Sequence, residues 1–270
     1  MLKIEGLTKT FYPGTPNEVQ ALRNIDLVIE EHSFVVVIGT NGSGKSTLLN
    51  AVAGTFFPDV GRIELAGEEI TRWPEHRRAR LVGRVFQNPY SGTAPRMSIT
   101  ENLALASRRG LPRRLGWAVT PSVRGKLQEK VRSLGMGLED RLENEIGNLS
   151  GGQRQALTLL MATWLKPRLL LLDEHTAALD PKTADQVICL TREIIERDRL
   201  TTLMVTHSMQ QAVSLGDRVI MMHKGQIIHD LKDDQRRHLR VEDLLERFDE
   251  IRRMEQLDPG AAELLRALYV

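Results

Sequence analysis

An α/β fold with a mostly parallel sheet flanked by helices is the class this sequence predicts, and three observations predict it. Two short apolar runs, FVVVI at 34–38 and LLLL at 169–172, are bounded by polar or glycine-rich turns and read as buried parallel strands. Between and after them lie helical patterns over 46–53, over 154–165 closed by Lys166-Pro167, and over 181–197 with Ala184, Val187, Ile188, Ile194 and Ile195 at helical spacing. Strand and helix therefore alternate, and each strand leads into residues able to do chemistry.

The remaining elements follow in order. Residues 1–30 (Leu2, Ile4, then Ile25, Leu27, Ile29) and 62–70 alternate apolar and polar side chains, as an antiparallel β subdomain with one wet face does. Residues 88–148 are polar, helical in pattern and rich in arginine; with the helix that follows they suggest an α-helical lobe inserted over about 88–163. The tail carries VEDLLERFDEIRRMEQ and, after a Pro-Gly turn, AAELLRAL, two amphipathic helices. The expected organisation is a nucleotide-binding domain over 1–231 and a C-terminal helical extension over 232–270.

Composition limits the function. A chain of 270 residues suits one large domain with a lobe and a tail, and a net charge of +2 demands neither nucleic acid nor an anionic membrane. Cys189 has no partner in the chain, so no intrachain disulfide is possible, which suits a reducing compartment. The longest apolar runs, FVVVIG and LLLLD, are far short of the roughly 20 residues a membrane span needs. MLKIEGLTK has no signal-peptide core, so the expectation is a soluble cytoplasmic chain.

Gly39–Ser46 matches G-x-x-x-x-G-K-[ST] directly after an expected strand and before an expected helix. Glycines let successive backbone N–H groups turn inward around a phosphate, and the helix start adds its positive dipole end. Lys45 is placed to reach the β- and γ-phosphates, and the Ser46 hydroxyl to ligate Mg²⁺. The strand LLLLD ends in Asp173, a carboxylate for Mg²⁺, and the adjacent Glu174 is placed to polarise a water against the γ-phosphate. Far along the chain NLSGGQRQ, at 148–155, sets a hydroxyl, two glycines and a glutamine before an apolar helix, which is again the chemistry of a phosphate-binding helix start.

The run LSGGQ is the signature of ATP-binding cassette (ABC) proteins, and the chain resembles the nucleotide-binding subunit of an ABC transporter over nearly its whole length. The order aromatic residue, phosphate loop, Gln87, LSGGQ, Asp173-Glu174 and His207 agrees with that family. The resemblance implies two cassettes packed head to tail, each of two ATP molecules lying between the phosphate loop of one chain and the signature of the other. It assigns ATP contacts to Phe11, Gly39, Thr40, Asn41, Gly42, Ser43, Gly44, Lys45, Ser46 and Thr47, and contacts to the partner's ATP to Ser150, Gly151, Gly152 and Gln153. Ser150 caps the signature helix, and Gly151 and Gly152 let its N–H groups approach the γ-phosphate. Mg²⁺ falls to Ser46, Gln87 and Asp173, catalysis to Glu174, His207 and Gln87, and the subunit-facing loop to Ala178, Leu179 and Asp180.

Plainer readings stand beside these. Phe11 competes with Tyr12 for adenine, and either serves equally as sheet packing; Gln87 reads also as a polar strand end and His207 as a structural histidine. Asp180 before Pro181 is an N-cap and N1 pair. Two positions depart from the family: His175 replaces a proline beside Glu174, as a tolerated loop substitution or a group titrating next to that carboxylate, and His32 replaces a turn glycine.

The implied partners are a second ATPase subunit, forming a homodimer, separate transmembrane permease subunits received in a groove near 88–97, and a substrate-binding protein. The implied location is the cytoplasmic face of the cell membrane, with peripheral attachment. DEHTAALDPKTA, LTTLMVTHSM and VIMMHKGQI are similar to bacterial import ATPases associated with aromatic amino-acid uptake, although the ATPase does not itself touch the cargo. The alternative is a soluble ABC-type ATPase acting on ribosomes or nucleic acid. Those relatives carry two cassettes or long coiled coils, and SRRGLPRRLGW at 107–117 interleaves its arginines with one aromatic only, so no nucleic acid is expected.

Overall fold

The structure is a computed structural model that describes residues 1–110 and 119–256. Two antiparallel strands, β1 (Leu2–Phe11) and β2 (Val19–Ile29), open the chain; β3 (Phe34–Gly39) then runs through a loop into α1 (Lys45–Ala53). The chain returns to the first sheet as β4 (Val60–Leu65) and β5 (Glu68–Glu69), then passes a short α2 (Glu75–Arg78) to β6 (Val82–Val85). The lobe comprises a 3-10 turn (Pro89–Gly92), α3 (Ile99–Ala106), α4 (Pro121–Arg132) and α5 (Gly151–Thr163). Then come β7 (Leu169–Asp173), α6 (Pro181–Asp198), β8 (Thr202–Val205), α7 (Met209–Leu215), β9 (Arg218–His223), β10 (Gln226–Leu231), α8 (Asp233–Arg237) and α9 (Val241–Gln256).

The first sheet is antiparallel in the order β2-β1-β4-β5, the second has six strands in the order β10-β9-β3-β8-β7-β6. Within the second, β6, β7, β8, β3 and β9 run parallel and β10 pairs antiparallel with β9. Every residue of β3 is buried, because its two faces feed two different cores. Val36 and Ile38 share one core with Leu103, Leu127 and Leu157 of the lobe, whereas Val35 and Val37 share the other with Leu48, Leu49 and Val52 of α1 and with the antiparallel sheet. The predicted wet-faced subdomain is present: Leu2, Ile4, Leu7, Ile25, Leu27 and Ile29 point into the second of these cores.

Helix boundaries follow their caps. α5 starts three residues earlier than its apolar pattern suggests, because the Ser150 hydroxyl accepts from Gln153 N–H and the Gln153 amide oxygen accepts from Ser150 N–H. Asp180 accepts from Thr183 N–H with Pro181 at the first helical position of α6. Leu244 and Phe248 of α9 are buried in the lobe-side core, so the first tail helix docks on its own chain. The second expected tail helix, and the arginines of 111–114, lie outside the described residues.

Candidate functional site

β3, β7 and β8 are neighbours in the sheet, and their C-terminal ends carry the phosphate loop, Asp173-Glu174 and His207; Gln87 follows the end of β6 on the far side of β7. Open parallel sheets bind ligands at this edge. At the start of the loop a Cβ on Gly39 would overlap the Met222 carbonyl oxygen of β9, so only glycine lets the strand leave the sheet there. Gly44 is the N-cap of α1 at φ 98°, a left-handed conformation that glycine takes without strain. Lys45 curls back, its ammonium donating at 2.9 Å to the carbonyls of both Gly39 and Thr40. Burial lowers the Lys45 pKa, opposed by the carboxylates of Glu174 and Asp173.

The Ser46 hydroxyl lies 3.5 Å from Asp173 Oδ1. These are hard oxygen donors of the kind Mg²⁺ takes alongside phosphate oxygens, and in that respect the residues fit the ion. Glu174 is held at φ 43° with its N–H on Val205 O at 3.0 Å, which turns its side chain out of strand geometry. Its carboxylate is bracketed: His207 Nε2 stands 2.6 Å from Oε1 and Gln87 Nε2 donates to Oε2 at 3.1 Å. Asp173, Glu174, Ser46, Lys45, Gln87 and His207 thus converge, as the motif reading expects.

The signature lies apart, and its two glycines differ in their surroundings. A Cβ on Gly152 would overlap Thr183 Cγ2, and one on Gly151 would stand 3.0 Å from Leu179 Cδ2. Gly152 is buried against α6 of its own chain, so close helix packing favours a glycine there. Gly151 and Ser150 are exposed. The contact also sets the signature beside Ala178-Leu179-Asp180, so the two stretches expected to meet a second subunit form one surface.

Phe11 and Tyr12 separate clearly. Phe11 is half-buried and edge-on to Phe56 with ring centroids 5.2 Å apart, and Lys9 Nζ lies over both rings. Tyr12 is 69% exposed at φ 51°. His175 does not share the Glu174 environment. It is buried, its Nε2 is 3.1 Å from Thr191 Oγ1, and that hydroxyl donates onward to Val187 O at 2.7 Å. His175 therefore donates from Nε2 and is neutral; burial pushes its pKa down to about 4. His32 takes φ 65°, the conformation its turn requires, and its Nδ1 pairs with Arg199 O at 2.6 Å. Arg84 is the site residue that motifs miss: its Nη2 lies 3.7 Å from Asp173 Oδ2. The available signal is a charged residue inside the apolar strand LVGRVF.

The described residues contain no helix long and apolar enough to cross a membrane. The ABC transporter family pattern matches residues 22–177, spanning the phosphate loop, the signature and Asp173-Glu174. The chain belongs to the ABC transporter family. The cassette is 43% identical over 251 residues, 92% of this chain and 99% of the relative, to a tyrosine transport ATP-binding protein of Clostridioides difficile. It is 35% identical over 84% of its length to a lipoprotein-releasing system ATP-binding protein, LolD, of a Ruegeria species, covering 97% of that relative. Among solved structures it resembles the dimeric cassette MJ0796 in a post-hydrolysis state bound to ADP and phosphate. That match has a TM-score of 0.74 and 28% identity, and covers 86% of this chain and 98% of that one. The cassette is accordingly an ATP-binding, ATP-hydrolysing subunit of an ABC transporter, of a kind that dimerises and works with membrane permeases.

Proposed function

We propose that this cassette is the ATPase of a bacterial importer for an amino acid, with tyrosine or a chemically similar aromatic amino acid as cargo. The cargo reading rests on the 43% identity to the tyrosine transport ATP-binding protein across nearly all of both chains, against 35% for LolD. The observation that carries the ATPase mechanism is the double bracket on Glu174 by Gln87 and His207 beside the Ser46 and Asp173 oxygens.

In this reading two copies meet head to tail, and Ser150, Gly151, Gly152 and Gln153 of each face the ATP held by the loop of the other. Residues 39–47 wrap the phosphates with backbone N–H groups, Lys45 leaves its two carbonyls for phosphate oxygens, and Phe11 packs on the adenine with Phe56 behind it. Ser46, Asp173 and Gln87 would hold Mg²⁺, which when bound offsets charge on the β- and γ-phosphates. Glu174 orients and takes a proton from the attacking water, and His207 holds Glu174 through Nε2 until bound ATP draws that nitrogen to the γ-phosphate. ATP completes the interface, hydrolysis weakens it, and the permease alternates its access because the two dimer states differ in affinity for ATP. The permease is received in the groove beside 88–97, on the cytoplasmic face of the membrane, and a substrate-binding protein delivers cargo on the other side.

The test is affinity purification of the Glu174→Gln form from gently solubilised native membranes in Mg-ATP, with identification of co-purifying proteins. A multi-span permease with an amino-acid-binding protein is expected. Ribosomal proteins or nucleic acid without a permease would overturn the reading.

A further inference from the structure

Arg84 sits in β6, the edge strand of the six-stranded sheet, in register with Leu171 of β7. Its guanidinium is held from several sides. Nη2 donates to Asn50 Oδ1 of α1 at 2.6 Å and Nη1 to Thr55 Oγ1 at 3.2 Å. The group lies over the Phe86 ring, 4.4 Å from its centroid, and 3.7 Å from Asp173 Oδ2. Its Nε is buried without a hydrogen-bond partner among the described residues.

The same side chain lines a groove of about 340 Å³ walled by α1, α2, β6, the 3-10 turn, α3 and α5. Arg109 lines it too, donating from Nη2 to Ala162 O while its own Nε is buried and unpartnered among the described residues. Leu105, Met161 and Phe86 supply apolar wall, and Glu75 is the acidic lining residue. Burial disfavours the charge on both arginines. Two guanidinium groups lining one largely apolar groove complement a carboxylate carried on an apolar segment.

A cation fixed beside Asp173 opposes a second cation at the same carboxylate. We propose that Arg84 is a positioning residue that competes with Mg²⁺ for Asp173 and is drawn off it by a carboxylate of a partner protein segment seated in the groove, so that docking tightens the metal site. The inference rests on the nucleotide-site reading above and adds the chemistry of the docked segment and the route by which it acts.

The test reads binding instead of turnover. ADP affinity of the full chain is titrated calorimetrically with and without Mg²⁺, and the ratio of the two isolates the contribution of the ion. Arg84→Gln is expected to raise that ratio about five- to tenfold, the scale of a partly buried charge pair, whereas Arg84→Lys, which keeps the cation, leaves it near the wild-type value. Leu105, 58% exposed, offers a position for planting a carboxylate in the groove. Leu105→Glu is expected to raise the ratio, Leu105→Gln to leave it alone, and Leu105→Glu to add nothing in the Arg84→Gln background.

A ratio unchanged by Arg84→Gln overturns the competition. A Leu105→Glu effect that persists in the Arg84→Gln background, or no effect of Leu105→Glu at all, overturns the route through Arg84. ADP binding with Mg²⁺ is the separate control: its absence in the wild type would sink the nucleotide-site reading itself.

Discussion

His207 Nε2 and Glu174 Oε1 are 2.6 Å apart, and the other Glu174 oxygen is taken by Gln87 at 3.1 Å. The carboxylate is thus aimed by two residues from two other strand ends. Glu174→Gln retains the shape and loses the base. Steady-state phosphate release should fall about 10²-fold or more, while the dimer formed in Mg-ATP persists on size-exclusion chromatography. Turnover near wild type in Glu174→Gln would remove Glu174 from that role.

The Gly152 position tests helix packing separately from ATP contact. Gly152→Ala drives a methyl into Thr183 Cγ2 and should destabilise the fold by about 1–3 kcal/mol in urea unfolding. Thr183→Ser deletes that Cγ2 and keeps the hydroxyl, so the double variant should regain most of the loss. If Gly152→Ala is as stable as wild type, the tight contact between α5 and α6 is not what requires glycine.

His175 makes the fold acid-sensitive. Its folded pKa is lowered to about 4 from 6.5, so below pH 6.5 the unfolded chain binds a proton that the native chain refuses. Stability therefore falls as the pH drops from 6.5 towards 4, by about 3 kcal/mol when integrated over that window. His175→Gln keeps a donor for Thr191 and cannot take up the proton. Denaturant melts at pH 7 and pH 4.5 should show a smaller acid loss in the variant, and equal losses would place His175 outside the titrating set.

The sequence is most transparent where one local rule suffices. FVVVI and LLLL are strands because nothing else buries such short apolar runs in an α/β chain, and Gly39–Ser46 is legible because the loop is built from its own backbone. The start of α5 was hidden from apolar periodicity, since it is set by the reciprocal Ser150 and Gln153 bonds. The burial of His175 and the packing demand on Gly152 depend on α6, which lies further along the chain, so neither is written in its own neighbourhood. Arg84 is the extreme case. Its meaning comes from Asn50, Asp173 and a groove assembled from elements far apart in the chain, and no spacing along the chain encodes that meeting.

β6 and β7 lie side by side, yet the whole lobe separates them along the chain. The lobe is therefore an excursion that leaves and re-enters the sheet at adjacent points, as tolerated domain insertions do. Descendants of such a chain can rebuild the excursion, and with it whatever they are tuned to answer, while inheriting the strand order beneath unchanged. The signature at the start of α5 rides on that same excursion, so in the proposed reading a change of partner and half of an ATP site travel together along the chain.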